Sequence, residues 1–193
     1  MGGQGASLAA ALRYSNVAPT APHAQHMPSH IFTRVGYWSE SIAANTASVR
    51  AAKSDKEIGD QLHGQDYLVY AYLQLGEDKQ ARSVVDEIEA ARFDADAFGA
   101  GFAQAASPAR YMMERGDWVG AANLEVRPSK FPHVVALTYF ARAIGASLAG
   151  VSASSLVDAA RLAEIRDQLR EAKNGYCAGQ VDIQAEAANA LIL

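Results

Sequence analysis

The sequence predicts an all-α protein, an α-solenoid made of antiparallel helix pairs. Three glycines lie 40 residues apart, and a small residue follows each one at the fifth position: Gly36 with Ser41, Gly76 with Ala81, and Gly116 with Ala121. A glycine that ends one helix and a small residue inside the next are typical of such a pair, because the small side chain lets two helices approach closely. Strand signals are nearly absent, since no alternating run of β-branched residues occurs. We therefore expect four helix pairs followed by a terminal helix.

The composition is that of an ordinary globular protein, and it excludes several functional classes. Half of the 193 residues are hydrophobic, 20% are charged, and the formal net charge is -4. A basic surface for nucleic acid or for an anionic membrane is therefore missing, and no apolar run is long enough to predict a membrane-spanning helix. The lone Cys177 excludes an intramolecular disulfide and a cysteine-rich metal cluster. We expect a cytoplasmic protein without nucleic-acid or membrane partners.

The first two helix pairs follow from the periodic pattern. Residues 1–22 are expected to form an N-terminal tail with part of a helix, and the first pair follows at about 23–53. Ser39 is predicted to cap the second helix of that pair, whose apolar positions are Ile42, Ala43, Ala47, Val49 and Ala52. The second pair is predicted at about 61–92, with one apolar stripe formed by Ala81, Val84, Val85 and Ile88.

The third pair is predicted at about 101–127, with a short second helix that Pro128 ends. Its first helix contains Pro108, which lies eight residues before a repeat glycine, as Pro28 does in the first pair. Proline inside a helix removes a backbone hydrogen bond and clashes with the preceding turn. We therefore expect these two helices to begin or kink at their prolines.

The fourth pair is predicted at about 133–173, with Ser154 or Ser155 as the cap of its second helix and Asn174-Gly175 as its stop. That second helix is expected to bury Leu156, Ala160, Ala163, Ile165 and Leu169. A terminal helix follows at about 176–193. Because it is apolar and no partner helix follows it, we expect it to pack against a second copy or against further chain, so the sequence is consistent with a fragment and with a homo-oligomer.

The segments around the repeat glycines resemble the tetratricopeptide-repeat signature, in which an aromatic residue follows the glycine by two positions and an alanine by five. Trp38 and Trp118 match the aromatic residue, whereas Asp78 does not, and Ser41 replaces the alanine. The strings at 26–32 and 66–76 together look like a family of bacterial tetratricopeptide-repeat proteins of unassigned biochemistry. The resemblance implies a right-handed superhelix and little about function.

The same resemblance implies a binding groove. In this repeat family the first helix of each pair lines the concave surface, and side chains at fixed offsets before the glycine tend to point into it. Those offsets select a polar set: His26, His30, Arg34, His63, Asp66, Tyr70, Gln74 and Arg110. The same offsets also select His23. Since such groups donate and accept hydrogen bonds, we expect the groove to bind a protein, an extended peptide or a carboxylate-bearing ligand.

A metal site is the alternative interpretation of the histidines. His26 and His30 are four residues apart, and His63 or Asp66 of the next helix would complete a tetrahedral set of metal ligands. A metal ion bound there would allow a hydrolytic function. Pro28 disturbs the helix between the first two, and no His-Glu-x-x-His pattern supplies a general base. The sequence favours ligand recognition, with no metal, cofactor or enzymatic activity.

Two plainer interpretations stay open beside these. The polar set in the first two pairs is also explained if its members are buried groups that tie the helices together through hydrogen bonds. The aromatic run at Tyr67, Tyr70 and Tyr72 is more typical of packing between helices than of a ligand site, and Tyr70 has the better position for facing a groove.

Overall fold

The structure is a computed structural model that describes residues 2–14, 17–94 and 97–192, and regular structure in these ranges is α-helical without any strand. The all-α prediction is confirmed. The helices in chain order are α1 Gly2–Tyr14, α2 Pro22–His26, α3 Ser29–Val35, α4 Trp38–Asp55, α5 Ile58–Gln74, α6 Asp78–Ala90, α7 Phe98–Glu114, α8 Trp118–Ala122, α9 Pro132–Leu148, α10 Ser152–Glu171 and α11 Gly175–Ile192. The chain divides into two compact units, Met1–Ser107 and Pro108–Leu193.

The repeat glycines end their helices in the way that the sequence predicts. Gly36, Gly76 and Gly116 have φ of 77°, 71° and 69°, a left-handed conformation in which a Cβ atom would be strained. The same hydrogen bond closes each helix, from the amide after the glycine to the carbonyl five residues earlier: Tyr37 to Phe32, Glu77 to Tyr72 and Asp117 to Met112, each at 2.9 Å. This closure satisfies the last carbonyls and turns the chain back.

Three further helix ends close with the same bond. The left-handed residues are Gly150, Lys56 and Lys173, and the amides that follow them donate to the carbonyls of Ala146, Ala52 and Leu169. The predicted stop of α10 at Asn174-Gly175 is therefore late, because Lys173 already reverses the chain. Asn174 instead begins the next helix, since its Oδ1 accepts from the amide of Cys177 at 3.2 Å.

The small residues that follow the glycines are fully buried. Ser41, Ala81 and Ala121 are each 0% exposed, and Ser155, five residues after Gly150, is 0% exposed as well. The sequence predicts Ser154 or Ser155 as the cap of α10, and this prediction is wrong. The hydroxyl of Ser155 donates to the carbonyl of Ala143 at 2.8 Å and so joins α10 to α9. The start of α10 at Val151 has no side-chain cap.

The start of α4 also differs from the prediction. The helix begins one residue before Ser39, with Tyr37 as N-cap and no side-chain cap. Its buried face is more polar than expected: Ser41, Asn45, Ser48, Val49 and Ala52. The predicted apolar position Ala43 is exposed. Small polar side chains fit this face because α4 packs closely against α2, α3 and α5. At Gly64 of α5 a Cβ atom would lie 3.0 Å from Val49.

The two prolines behave differently. Residues Met27 and Pro28 separate α2 from α3, as expected for a proline that interrupts a helix. In contrast, Pro108 lies inside the continuous helix α7, so this helix does not begin at its proline, and a kink there stays a prediction. The residues beside it, Ser107 and Ala109, are buried, and this packing offsets the cost of the lost backbone hydrogen bond.

The second unit is built from α8 to α11 with the adjoining end of α7. Its core consists of aliphatic side chains of α9, α10 and α11, chiefly Ile144, Leu162, Ile165, Leu169 and Val181. The predicted inward face of α10 is partly wrong, because Leu156 is 55% exposed and Ala160 is also exposed. The helix instead turns Asp158 inward, where its Oδ2 accepts from Nε of Arg142 at 3.0 Å. This ion pair joins α9 to α10 at a position where the sequence predicts apolar packing.

Among the described residues, no helix has the length and apolar character needed to cross a lipid bilayer.

Candidate metal-binding site

Three histidines of the first unit come together in one cluster. One ring nitrogen each from His26, His30 and His63 lies within 4.8 Å of the other two. The three side chains come from three different helices, α2, α3 and α5. His26 is almost completely buried, with 2% of its surface exposed, whereas His30 and His63 are half-buried. The cluster therefore joins the first helix pair to the first helix of the second pair.

The interruption at Met27 and Pro28 sets the position of the first two histidines. His26 is the last residue of α2, and His30 lies in the first turn of α3. The two Nε2 atoms lie 3.1 Å apart, and the rings meet edge to face, with centres 4.7 Å apart. His63 approaches from α5, and its ring centre lies 4.4 Å from that of His26 and 6.4 Å from that of His30.

Asn45 fixes the tautomer of His26. The side-chain amide of Asn45 donates to the carbonyl of Ser41 at 2.8 Å, which assigns Oδ1 as the atom that lies 2.7 Å from Nδ1 of His26. Because an amide oxygen only accepts, Nδ1 of His26 carries the proton and donates it. A neutral imidazole protonated at Nδ1 has its lone pair on Nε2, and that atom faces His30.

Tyr67 holds the other side of His30. Its hydroxyl lies 2.8 Å from Nδ1 of His30, and its ring stands at 90° to that of His26, with centres 4.7 Å apart. His30 therefore donates from Nε2 to Nε2 of His26 and accepts from Tyr67 at Nδ1. A metal ion would replace the single proton between the two Nε2 atoms, and Nδ1 of His30 would then donate to the Tyr67 oxygen instead.

Electrostatics keep the cluster neutral. The pKa of His26 is lowered from 6.5 to about 4, mainly by burial; the hydrogen bond to Asn45 opposes this shift, and the charges of His63, His30 and His23 add to it. Burial is also the main reason that the pKa values of His30 and His63 are lowered, while the Asp66 carboxylate raises that of His63. Neutral imidazoles with free lone pairs are the protonation state that binds metal ions.

The ring separations fit a tetrahedral ion. Imidazoles that share one Zn²⁺ through bonds of about 2.0–2.1 Å have ring centres about 5 Å apart. Two of the three separations, 4.7 and 4.4 Å, lie close to this value, and the third, 6.4 Å, requires His30 and His63 to approach by about 1 Å. His63 is half-buried, so we expect its side chain to rotate by this amount on binding an ion.

The structure does not bring all the predicted site residues together. Asp66 is buried, and its Oδ1 accepts from the hydroxyl of Ser107 at 2.7 Å. Tyr70 packs edge-on against Trp38, with ring centres 5.4 Å apart. Arg34 is exposed near the end of α3, where its charge lowers the pKa of His30. Gln74 is exposed at the end of α5, and Arg110 belongs to the second unit. Of the predicted metal set, the three histidines form the cluster.

Sequence reasoning missed two residues of the site. Tyr67 was expected to pack between helices; its ring does so, but its hydroxyl also contacts His30. Asn45 was not singled out at all. A signal for it existed, because asparagine is unfavourable inside a helix, and Asn45 follows the predicted buried residue Ser41 by one turn. An asparagine on the buried face of a helix needs a polar partner.

Comparison of the chain with protein-family models, with curated proteins and with solved structures found no match.

Proposed function

We propose that this chain binds a first-row divalent transition-metal ion through His26, His30 and His63. One observation carries the proposal: the Nε2 atoms of His26 and His30 lie 3.1 Å apart, while both Nδ1 atoms are held by neighbouring side chains. Histidines that bind metal usually hold a hydrogen-bond partner on the second ring nitrogen, which orients the ring. The cluster has that arrangement before any ion is added.

The donor atoms select the class of ion. Three imidazole nitrogens suit Zn²⁺, Cu²⁺, Ni²⁺ and Co²⁺, whereas Mg²⁺ and Ca²⁺ prefer oxygen ligands. Zn²⁺ is the best fit because the ring separations suit tetrahedral geometry and no planar arrangement of the three rings is needed.

The ion would act mainly on the first unit of the fold. The three ligands come from α2, α3 and α5, so a bound ion would join both sides of the interruption at Met27 and Pro28 to the second helix pair. Since metal that binds only the folded state adds its binding energy to folding, we propose a metal-stabilised helical array. This departs from the sequence-based preference for ligand recognition without metal.

We further propose that the array is of the tetratricopeptide type and serves as an interaction module. The support is the repeated Schellman closure at Gly36, Gly76 and Gly116, followed each time by a buried small residue. A second candidate function, binding of a carboxylate-bearing peptide, is favoured by Arg34, an exposed cation close enough to His30 to lower the pKa of that residue. Such a ligand would meet positive charge beside the cluster.

Metal titration of the metal-free protein tests the proposal. Calorimetric titration with Zn²⁺ should show stoichiometric binding, and elemental analysis of the dialysed complex should give the same ratio. His26→Ala, His30→Ala and His63→Ala should each abolish stoichiometric binding. His133→Ala is the matched control, because His133 is half-buried on α9 in the second unit. Absence of stoichiometric binding by the wild-type chain, or equal loss in His133→Ala, would overturn the proposal.

A further inference from the structure

A fourth histidine lies beside the cluster. His23 is the second residue of α2, three residues before His26, and residues three apart lie on the same side of a helix. The centres of the two rings are 6.1 Å apart. Unlike the other three, His23 is exposed, so its side chain is free of the packing that fixes His26.

His23 lies outside the group of ring nitrogens that approach one another within 4.8 Å. Its side chain would have to rotate toward His26 to reach an ion held by the other three histidines.

We infer that His23 is the fourth metal ligand, which makes the centre a closed tetrahedral set of four imidazoles. This inference rests on the proposed function. The separation of 6.1 Å between the rings of His23 and His26 is smaller than the 6.4 Å between those of His30 and His63, so His23 starts no farther from His26 than His30 does from His63.

The backbone around His23 is already in place for this role. The carbonyl of His23 accepts from the amide of Met27 at 3.0 Å, and the amide of Gln25 donates to Ala21 at 3.1 Å. These bonds hold α2 as a short helix, with Pro22 at its first turn. We therefore expect His23 to approach the ion by rotation of its exposed side chain while α2 stays in place.

Four protein ligands would determine what the ion does. Structural zinc sites are closed by four protein ligands, whereas catalytic sites keep one position for water or substrate. With His23 bound, the centre has no position for an exchangeable water, and the ion acts as a structural cross-link that reaches the start of α2. A centre without a position for water would not support the hydrolytic function that the sequence leaves open for a metal site.

Cobalt substitution tests the inference. Wild-type protein, His23→Ala and the control His133→Ala are loaded with Co²⁺, and visible absorption is recorded before and after addition of azide. The wild type and the control should give an intense tetrahedral spectrum that azide leaves unchanged. His23→Ala should bind Co²⁺ at least about tenfold more weakly, and azide should shift its spectrum because a position has opened. Circular dichroism checks that each variant is folded.

The possible failures are distinguishable. If the wild type binds neither Co²⁺ nor Zn²⁺, the proposed function fails, and this inference fails with it. If the wild type binds but azide shifts its spectrum, and His23→Ala binds equally well, only the fourth ligand is overturned. If His23→Ala does not fold, X-ray absorption of the Zn²⁺-loaded wild type decides the matter. Scattering from four imidazoles supports the inference, and three imidazoles with one oxygen contradict it.

Discussion

Nδ1 of His26 donates a hydrogen bond of 2.7 Å to Oδ1 of Asn45, and both residues are almost completely buried. We predict that Asn45→Ala lowers Zn²⁺ affinity about 10- to 100-fold, because the ring of His26 loses the partner that orients it. The same change should lower the free energy of unfolding of the metal-free protein by about 1–3 kcal/mol, since a buried donor is left unpaired. Calorimetry and urea unfolding measure the two effects.

The control for this change is Asn123→Ala, an exposed asparagine at the end of α8. It should leave Zn²⁺ affinity unchanged. An Asn45→Ala variant that keeps full affinity would show that His26 does not depend on this partner.

The hydroxyl of Tyr67 is predicted to support metal binding through His30. Tyr67→Phe keeps the ring that packs against the histidines and removes only the hydroxyl that contacts Nδ1 of His30. We expect a loss of about tenfold in Zn²⁺ affinity, with a change of about 1 kcal/mol in unfolding free energy. Tyr176→Phe is the matched control because Tyr176 is 79% exposed. Equal affinities for the two variants would contradict the prediction.

The stability of the metal-free protein should depend on pH through His26. Its pKa is lowered to about 4 in the folded protein, mainly by burial, whereas the unfolded chain titrates near its ordinary value of about 6.5. Between these values the unfolded state binds a proton that the folded state does not. This contribution is therefore fully present above about pH 6.5 and falls by up to about 3 kcal/mol as the pH approaches 4.

Urea unfolding in the presence of a chelator, at several pH values between neutral and acidic, measures this dependence. The difference between the wild type and His26→Gln isolates the contribution of His26, because all other groups titrate in both proteins. A difference that does not change with pH would contradict the prediction.

The left-handed glycines should tolerate alanine poorly. Gly76 has φ of 71°, although a Cβ atom there would meet nothing within 4 Å. Gly76→Ala should thus destabilise the protein by about 1–2 kcal/mol through backbone strain alone. Gly59→Ala is the control, since Gly59 lies in the first turn of α5, has equally open surroundings and has no left-handed backbone. It should be neutral or slightly stabilising, and thermal unfolding compares the two.

The ion pair between Asp158 and Arg142 should stabilise the second unit. Asp158 is 2% exposed, and Arg142 also donates to the carbonyl of Leu124 at 3.1 Å. Asp158→Ala leaves a partly buried guanidinium without its carboxylate and should cost about 3 kcal/mol. Glu89→Ala removes a more exposed partner of Arg82 and should cost less than about 1 kcal/mol. Similar losses in the two variants would contradict the assigned role.

Local signals allowed most of the helical boundaries to be predicted, and tertiary packing decided the rest. Gly36, Gly76 and Gly116 end helices through backbone geometry that depends only on nearby residues, so their spacing was sufficient. Pro28 and Pro108 occupy the same place before a repeat glycine, yet only Pro28 interrupts a helix. The difference lies in how the neighbouring turns pack, which a single sequence does not reveal.

The candidate site was predictable in the same partial way. The spacing of His26 and His30 indicated a shared face, and the repeat offset added His63 from the next pair. The roles of Asn45 and Tyr67 depend on the rotation of α4 and α5 about their own axes. Such rotation is set by contacts along the whole helix. The offsets that the tetratricopeptide resemblance implies therefore grouped the three histidines, but they did not indicate the side chains that hold them.

The interruption at Met27 and Pro28 also has a kinetic consequence. It makes α2 a separate single turn of five residues, and short segments with few backbone hydrogen bonds open more readily than the core. If α2 separates transiently from the rest of the first unit, His26 and His23 would leave the ion while α4, α5 and α6 stay packed. We expect a bound ion to exchange at the rate of this local opening and not at the far slower rate of global unfolding.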